Sequence, residues 1–242
     1  MAKNNLSLDE SPVARRFYPL LQSTGCPYAE LANISFGPEW SLNETFHENI
    51  ARLLPAFHAF AERSLDDNSD MFVAEVRDPM CLINIHEFAR FLNKLLTKLS
   101  EFDSSSVTSV FDEIESPEWN FTYKGLKFFV LTFAPFYHKC HGRYSHRKET
   151  AFVTFQPDHS FDRFGIHKAS PIRSKLSRTV RDAFLRKGMP YHYELVTGSI
   201  KALRYIQPLE VGHAPVRWWE VTDDDASQFI QGGDERSSAP PP

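Results

Sequence analysis

Residues 117–157 read PEWNFTYKGLKFFVLTFAPFYHKCHGRYSHRKETAFVTFQP, and the rest of the chain is read as packing around them. Phe121 and Tyr123 alternate with polar neighbours, Lys124-Gly125 is a turn pair, and Leu126 to Phe133 is a long, largely apolar run. Two such runs separated by a two-residue glycine turn predict an antiparallel hairpin. Pro135 stops the second strand, since it has no N–H to give to a ladder. Thr150 to Phe155 reads as a third strand. The segment between them, with His138, Cys140, His141, Arg143, His146 and Arg147, is too polar to continue the core and must sit at its edge. Polar side chains converging beside a buried sheet are where function is sought.

Working outward, Pro12 to Gln22 predicts a short helix with Val13, Phe17, Leu20 and Leu21 on one side, ended by Gly25. Ser41 and Glu44 have the spacing of a capping box. Phe46, Ile50, Leu53, Leu54, Phe57 and Ala61 then recur at helical intervals through about Arg63, with a kink expected at Pro55. Met71 to Val76 alternates as a strand. A second long helix carries the stripe Phe88, Phe91, Leu92, Leu95, Leu96 and Leu99, with Lys94 and Lys98 outside it. Downstream, Asp158 to Ala169 reads as irregular, with Phe161, Phe164 and Ile166 packing back onto the sheet. Ser170-Pro171 opens a basic helix through about Lys187, ended by Gly188 and Pro190. Ile200 to Ile206 is expected as a last strand and Val216 to Val221 as a closing aromatic segment. Two apolar stripes this wide need a sheet face. The prediction is a single α+β domain over residues 1–222, a small antiparallel sheet around a central hairpin covered by long amphipathic helices. Residues 223–242, ending SSAPPP, are expected to form a disordered tail.

The formal net charge of −4 over 242 residues argues against a nucleic-acid binder, because a surface that tracks phosphates needs a basic excess. The opening MAKNNLSLDESPVARR lacks the apolar centre of a signal peptide, and no apolar run approaches the length of a membrane span. A cytoplasmic protein is expected. Cys26, Cys81 and Cys140 are odd in number and lie at no metal or disulfide spacing, which fits a reducing compartment. Aromatic residues make up 14% of the chain, with 21 phenylalanines, a composition that suits a cavity for a flat cofactor as well as a plain core.

No Gly-rich phosphate loop, G-x-S-x-G elbow or H-E-x-x-H pair is present, which removes the usual support for nucleotide, serine-hydrolase and zincin chemistry. Three chemistries remain for the polar segment. Zinc wants four ligands, typically from two separated pairs, and here the candidates crowd into one stretch with Cys26 the obvious outside partner. A Cys140–His nucleophile needs base and thiol within hydrogen-bond reach, whereas neighbours on an extended chain point apart. Haem needs less from sequence: one axial ligand, an apolar slot, and cations such as Arg143, Arg147 or Lys148 for its propionates.

The P-E-W-x-F strand opening, the glycine turn, the apolar strand closing on Ala-Pro, the H-x-R-Y-S segment and T-F-Q-P together resemble the YqcI/YcgG family, and Cys26-Pro27-Tyr28-Ala29 resembles a second signature of it. Some members are haem-dependent enzymes that hydroxylate nitrogen on arginine-like amino acids. The resemblance therefore implies a haem b iron and an N-oxygenase acting on an amino or guanidino nitrogen of a small amino-acid-like substrate. It also implies dioxygen or peroxide as oxidant and an external electron donor, since the chain has no reductase module. His141 is the axial ligand implied by its H-x-R-Y-S context, with His138 and the Cys26 thiolate as alternatives. Arg143 and Arg147 are assigned to the propionates. Glu118, beside Trp119 at the hairpin's start, is the carboxylate proposed for a cationic substrate. A non-catalytic haem or small-ligand binding protein is the rival from another class.

Overall fold

The computed structural model describes residues 11–103, 109–163 and 173–221. Lys124 and Gly125 both take left-handed backbone angles, φ 53° and 73°, the pairing that lets a two-residue turn match the twist of a hairpin. That turn joins two of five strands: β1 (Ile34–Phe36), β2 (Met71–Val76), β3 (Phe121–Tyr123), β4 (Leu126–Phe133) and β5 (Ala151–Pro157). Their spatial order is β1-β2-β5-β4-β3. Every neighbouring pair is antiparallel except β1 and β2, which run parallel in register Ile34↔Met71. The α+β architecture and the central hairpin agree with the sequence reading. β1 adds a parallel pair that a three-residue strand is too short to announce as a periodic signal.

Strand alternation sorts the sheet into two faces. On one, Phe72, Ala74, Val76, Phe128, Val130, Val153 and Phe155 pack against α2 (Phe46–Arg63) and α3 (Ile85–Glu101), the two striped helices. Phe57 is central there, its ring 4.7 to 5.5 Å from those of Phe155, Tyr123, Phe72 and Phe128. The other face sets Ile34, Val73, Phe133 and Phe152 against Val13, Phe17 and Leu20 of α1 (Pro12–Ser23). Glu75 is buried on this second face and is held by the guanidinium of Arg16 in α1. Among the described residues no helix is long and apolar enough to cross a membrane.

Several elements differ from expectation. The capping box of α2 is Thr45 with Glu48, because Asn49 ties down Ser41 from both sides and keeps it outside the helix. The segment after β5 opens as a short helix, α4 (Asp158–Arg163), and its Phe161 ring lies 6.1 Å from that of Phe129. Phe164, Ile166, Ser170 and Pro171 lie outside the described residues, as does the tail. The basic helix is α5 (Arg173–Arg186), followed by α6 (Tyr193–Thr197). Ile200 to Ile206 is not a strand: Lys201–Arg204 is a 3₁₀ turn. Its neighbour Tyr205 meets the sheet from above instead of at an edge, its hydroxyl bridging Phe121 N and Phe128 O while its carbonyl accepts from Thr132 Oγ1. The closing aromatics also form a turn, Trp218–Glu220, with Trp218 fully buried and its Nε1 donating to Ala202 O.

Candidate functional site

β4 runs out at Phe133, and the polar segment folds straight back under its end. Ala134 N donates to Arg143 O and Ser145 N donates to Ala134 O, a bridge that pulls residues 138–145 against the core. Both His141 and Arg143 are consequently buried. The His141 ring stacks on Tyr137, centroids 4.4 Å apart and planes at 15°, and Tyr137 is itself anchored by its hydroxyl on Gln207 O at 2.7 Å.

The backbone N–H of Arg143 donates to His141 Nδ1 at 3.0 Å, while His141 Nε2 lies 3.1 Å from His192 Nε2 and 3.2 Å from Pro208 O. A backbone amide can only donate, so His141 Nδ1 holds a lone pair and the ring proton sits on Nε2. That N–H points at Pro208 O and at His192 Nε2, and His192 is the acceptor of the pair. Burial, with help from His192 and Arg143, lowers the His141 pKa to about 4, and burial and Arg143 also lower that of His192. At neutral pH the structure therefore holds two neutral imidazoles nitrogen to nitrogen.

Arg143 donates to Thr132 O and Arg204 O and lies over the Phe133 ring, 5.5 Å from its centroid. Desolvation pulls its pKa down to about 10, which still leaves it charged. No carboxylate of the described residues pairs with it, and a buried cation matched only by carbonyls and a ring face can still bind an anion. Arg147 is employed differently. Its guanidinium donates to Arg16 O and Arg15 O, both at 3.2 Å, and so ties the segment to α1. Glu118 is exposed on the turn before β3, with its N–H on Ser116 Oγ. Of the four residues singled out from sequence, the structure brings His141 and Arg143 into one buried cluster and sets Arg147 and Glu118 outside it. His138 and Cys140 are exposed, with Cys140 N donating to His138 Nδ1.

A slot adjoins the histidine pair. Phe184 of α5 wedges between Gly25 and Gly142: a Cβ on Gly25 would stand 2.7 Å from both Cα and Cγ of Phe184, and one on Gly142 2.9 Å from its ring. Tyr191 flanks that ring at 6.0 Å, and His192 follows it in the chain. Cys26 is next to Gly25, so the C-P-Y segment and the H-x-R turn meet across one aromatic side chain. Burial pushes the Cys26 thiol up, against a resident thiolate. His192 was not singled out from sequence. It stands alone between tyrosines, and its partner is 51 positions away, so no local spacing signals it. A separate open groove along α3, lined by Phe46, His47, Phe91 and Lys94 among others, has its charges matched in pairs such as Arg90–Glu87 and Lys98–Glu101.

Among the described residues no group of three or more His, Cys, Asp or Glu side chains is placed to hold a metal ion. Haem brings four nitrogens of its own and asks the protein for an imidazole lone pair, a cation for a propionate, and a flat apolar gap. The neutral histidine pair and Arg143 match the first two requirements, while the space between Gly25 and Gly142 is taken by the Phe184 ring. Neither the curated proteins nor the solved structures contain a match to this chain. The model of the YqcI/YcgG family matches residues 29–197, a span that begins just past Cys26-Pro27-Tyr28 and takes in His141, Arg143, Phe184 and His192, and the chain belongs to that family.

Proposed function

We propose that this protein is a haem-dependent N-oxygenase that hydroxylates an amino or guanidino nitrogen of a small amino-acid-like substrate, arginine-type compounds foremost. The observation that carries the reading is the meeting in one place of a neutral, buried histidine pair and a buried arginine with no carboxylate partner among the described residues, beside an aromatic ring seated between two glycines. Bound haem would supply the oxygen activation. With dioxygen the balance is one substrate N–H, one O₂, two electrons and two protons giving N–OH and water, so the electrons come from an external donor; with peroxide no donor is needed. The chain's own residues have simpler tasks. The histidine pair offers an imidazole, Arg143 neutralises a propionate, and the phenylalanine-rich walls keep water out.

The test is direct. Purified full-length protein should take up one haem per chain with an intense Soret band. The loaded protein, given arginine-type substrates with peroxide or with dioxygen and a reductant, should yield a product heavier by one oxygen. A protein that ignores added haemin sinks the reading, whereas haem uptake with no turnover on any amine or guanidine would leave the binding protein and remove the enzyme.

A further inference from the structure

The open groove along α3 has a volume of about 470 Å³ and shares no residue with the histidine cluster. We infer that this groove is the docking site of the chain's own segment 222–231, with Phe229 and Ile230 on its apolar floor and Asp223, Asp224 and Asp225 facing Lys94 and Lys98. The inference is independent of the haem reading.

The floor of the groove is aromatic. Phe46 and Phe91 meet there edge to face, ring centroids 5.6 Å apart, and Met80 stands at the rim, 63% exposed. Apolar side chains set in an open groove stay in water unless something covers them. Asn93 lines the same groove, and its Nδ2 donates to Trp219 O at 3.1 Å and to Trp218 O at 3.5 Å. Those bonds fasten the turn Trp218–Glu220 to α3 and bring the chain to the wall of the groove. Val221, partly buried against the core, is the last described residue, so the next segment starts beside the groove.

Residues 222–242 lie outside the described residues and read TDDDASQFIQGGDERSSAPPP. Their composition changes along the way. Thr222 and Asp225 have the spacing of a capping box, Ala226, Phe229 and Ile230 fall on one side of a helical pattern, and Gly232-Gly233 ends it. An adjacent phenylalanine and isoleucine are out of place in a segment otherwise this polar. The reach is sufficient. From Val221 to Phe229 the chain can span about 12 Å as a helix or up to about 26 Å when extended. Asn93 stands about 12 Å from the start of α3, so the Phe46–Phe91–Met80 floor is within that range.

The order of charges agrees with this alignment. Lys94 and Lys98 are one turn apart in the C-terminal half of α3, with Glu101 on Lys98, whereas Asp78 and Glu87 lie toward the other end of the groove. Segment 222–231 carries its three carboxylates first and no charge from Ala226 to Gln231. Its acids therefore meet the lysines next to Asn93, and its uncharged part meets the acidic end. The reverse alignment would set aspartates against Asp78 and Glu87, and like charges brought together are unfavourable.

The experiment uses full-length protein carrying the photoreactive p-benzoyl-phenylalanine at position 229, with crosslinks mapped by mass spectrometry after irradiation. Crosslinks within one chain to Phe46, Met80 or Phe91 are expected. In protein without the label, Phe229→Asp combined with Ile230→Asp should speed hydrogen exchange at the Met80–Leu82 amides by about tenfold and leave β4 and β5 unchanged. Both substitutions fall outside the described fold, so neither disturbs its core. Crosslinks to another surface, no crosslink at all, or exchange identical in the double variant would overturn the assignment. Crosslinks that form only between two chains would overturn it too, giving the groove to a second copy. Neither readout involves haem, so uptake or refusal of haem leaves the result unaffected.

Discussion

Adding one methyl group at Gly25 tests whether Phe184 fills the slot as the structure has it. An alanine Cβ there would lie 2.7 Å from the Cα of Phe184, 2.7 Å from its Cγ and 2.9 Å from its Cδ2. The ring can rotate away, but the Cα belongs to the backbone of α5, so the helix must shift. Overpacking of this kind costs roughly 1–3 kcal/mol. Alanine also lowers the entropy of the unfolded chain by roughly 0.4–1 kcal/mol, which acts in the opposite direction. The net expectation for Gly25→Ala is a loss of about 1–2 kcal/mol. Gly142→Ala is the internal comparison, because its Cβ meets only ring atoms of Phe184, at 2.9 and 3.3 Å. There the two effects should nearly cancel. Removing the ring in Phe184→Ala backgrounds should make Gly142→Ala neutral or favourable and relieve Gly25→Ala only in part, since the α5 backbone contact remains. Urea unfolding of the four single and double variants, with wild type and Phe184→Ala, measures all of these differences. A Gly25→Ala protein as stable as wild type, or one fully rescued by Phe184→Ala, would show that α5 does not press its backbone against the C-P-Y segment.

Acid should weaken the fold through His141. Its pKa is about 4 in the fold against an ordinary histidine value of 6.5, so below pH 6.5 the unfolded chain binds a proton that the folded one refuses. The contribution is complete above 6.5, is lost as pH falls toward 4, and amounts to about 2 kcal/mol between pH 7.5 and 5. His141→Gln should remove that part of the pH dependence, and parallel urea midpoints for wild type and variant across this range would contradict it. Glu75 offers a test of the α1 face: its carboxylate is fully buried and accepts from Arg16 and from Trp40 N. Glu75→Ala strands Trp40 N and leaves Arg16 with Glu39 as its remaining carboxylate, and should cost about 2 kcal/mol, with Glu75→Gln costing less because the amide oxygen still accepts. Thermal unfolding that ranks the two variants equally would argue against the pairing.

The parts of the fold legible in the sequence are those where local pattern and global packing demand the same residue. Gly125 with Lys124 marks the hairpin because that turn needs two left-handed residues, and the stripe from Phe88 to Leu99 can satisfy itself only as a helix against a sheet face. Legibility fails where tertiary contact replaces pattern. Ser41 and Glu44 have the spacing of a cap, yet Asn49 reaches back to hold Ser41 in the loop, and Thr45 starts the helix instead. Ile200 to Ile206 has the apolar content of a strand, but Tyr205 inserts its hydroxyl between β3 and β4 from the face. A residue whose backbone curls into a 3₁₀ turn and whose side chain supplies the sheet contact has no signature at period two.

The site divides along the same line. His141 and Arg143 stand in a short polar segment wedged between two strands, and a segment placed like that has to touch the core; within it, the H-x-R-Y-S resemblance is what picks out His141. Arg147 belongs to the same segment, but its guanidinium is used on the carbonyls of Arg15 and Arg16, which no reading of charge alone would foresee. His192 is the opposite case. Nothing beside it in the chain marks it, and its significance comes entirely from a proton held 51 positions away on His141. That proton is placed in turn by a backbone amide, the N–H of Arg143, which the sequence does not encode as a side chain at all. The H-x-R spacing thus has a physical content beyond supplying a histidine and a cation. With one residue between the ring and the amide that binds it, the turn fixes the tautomer of the first histidine and thereby leaves the lone pair on the second.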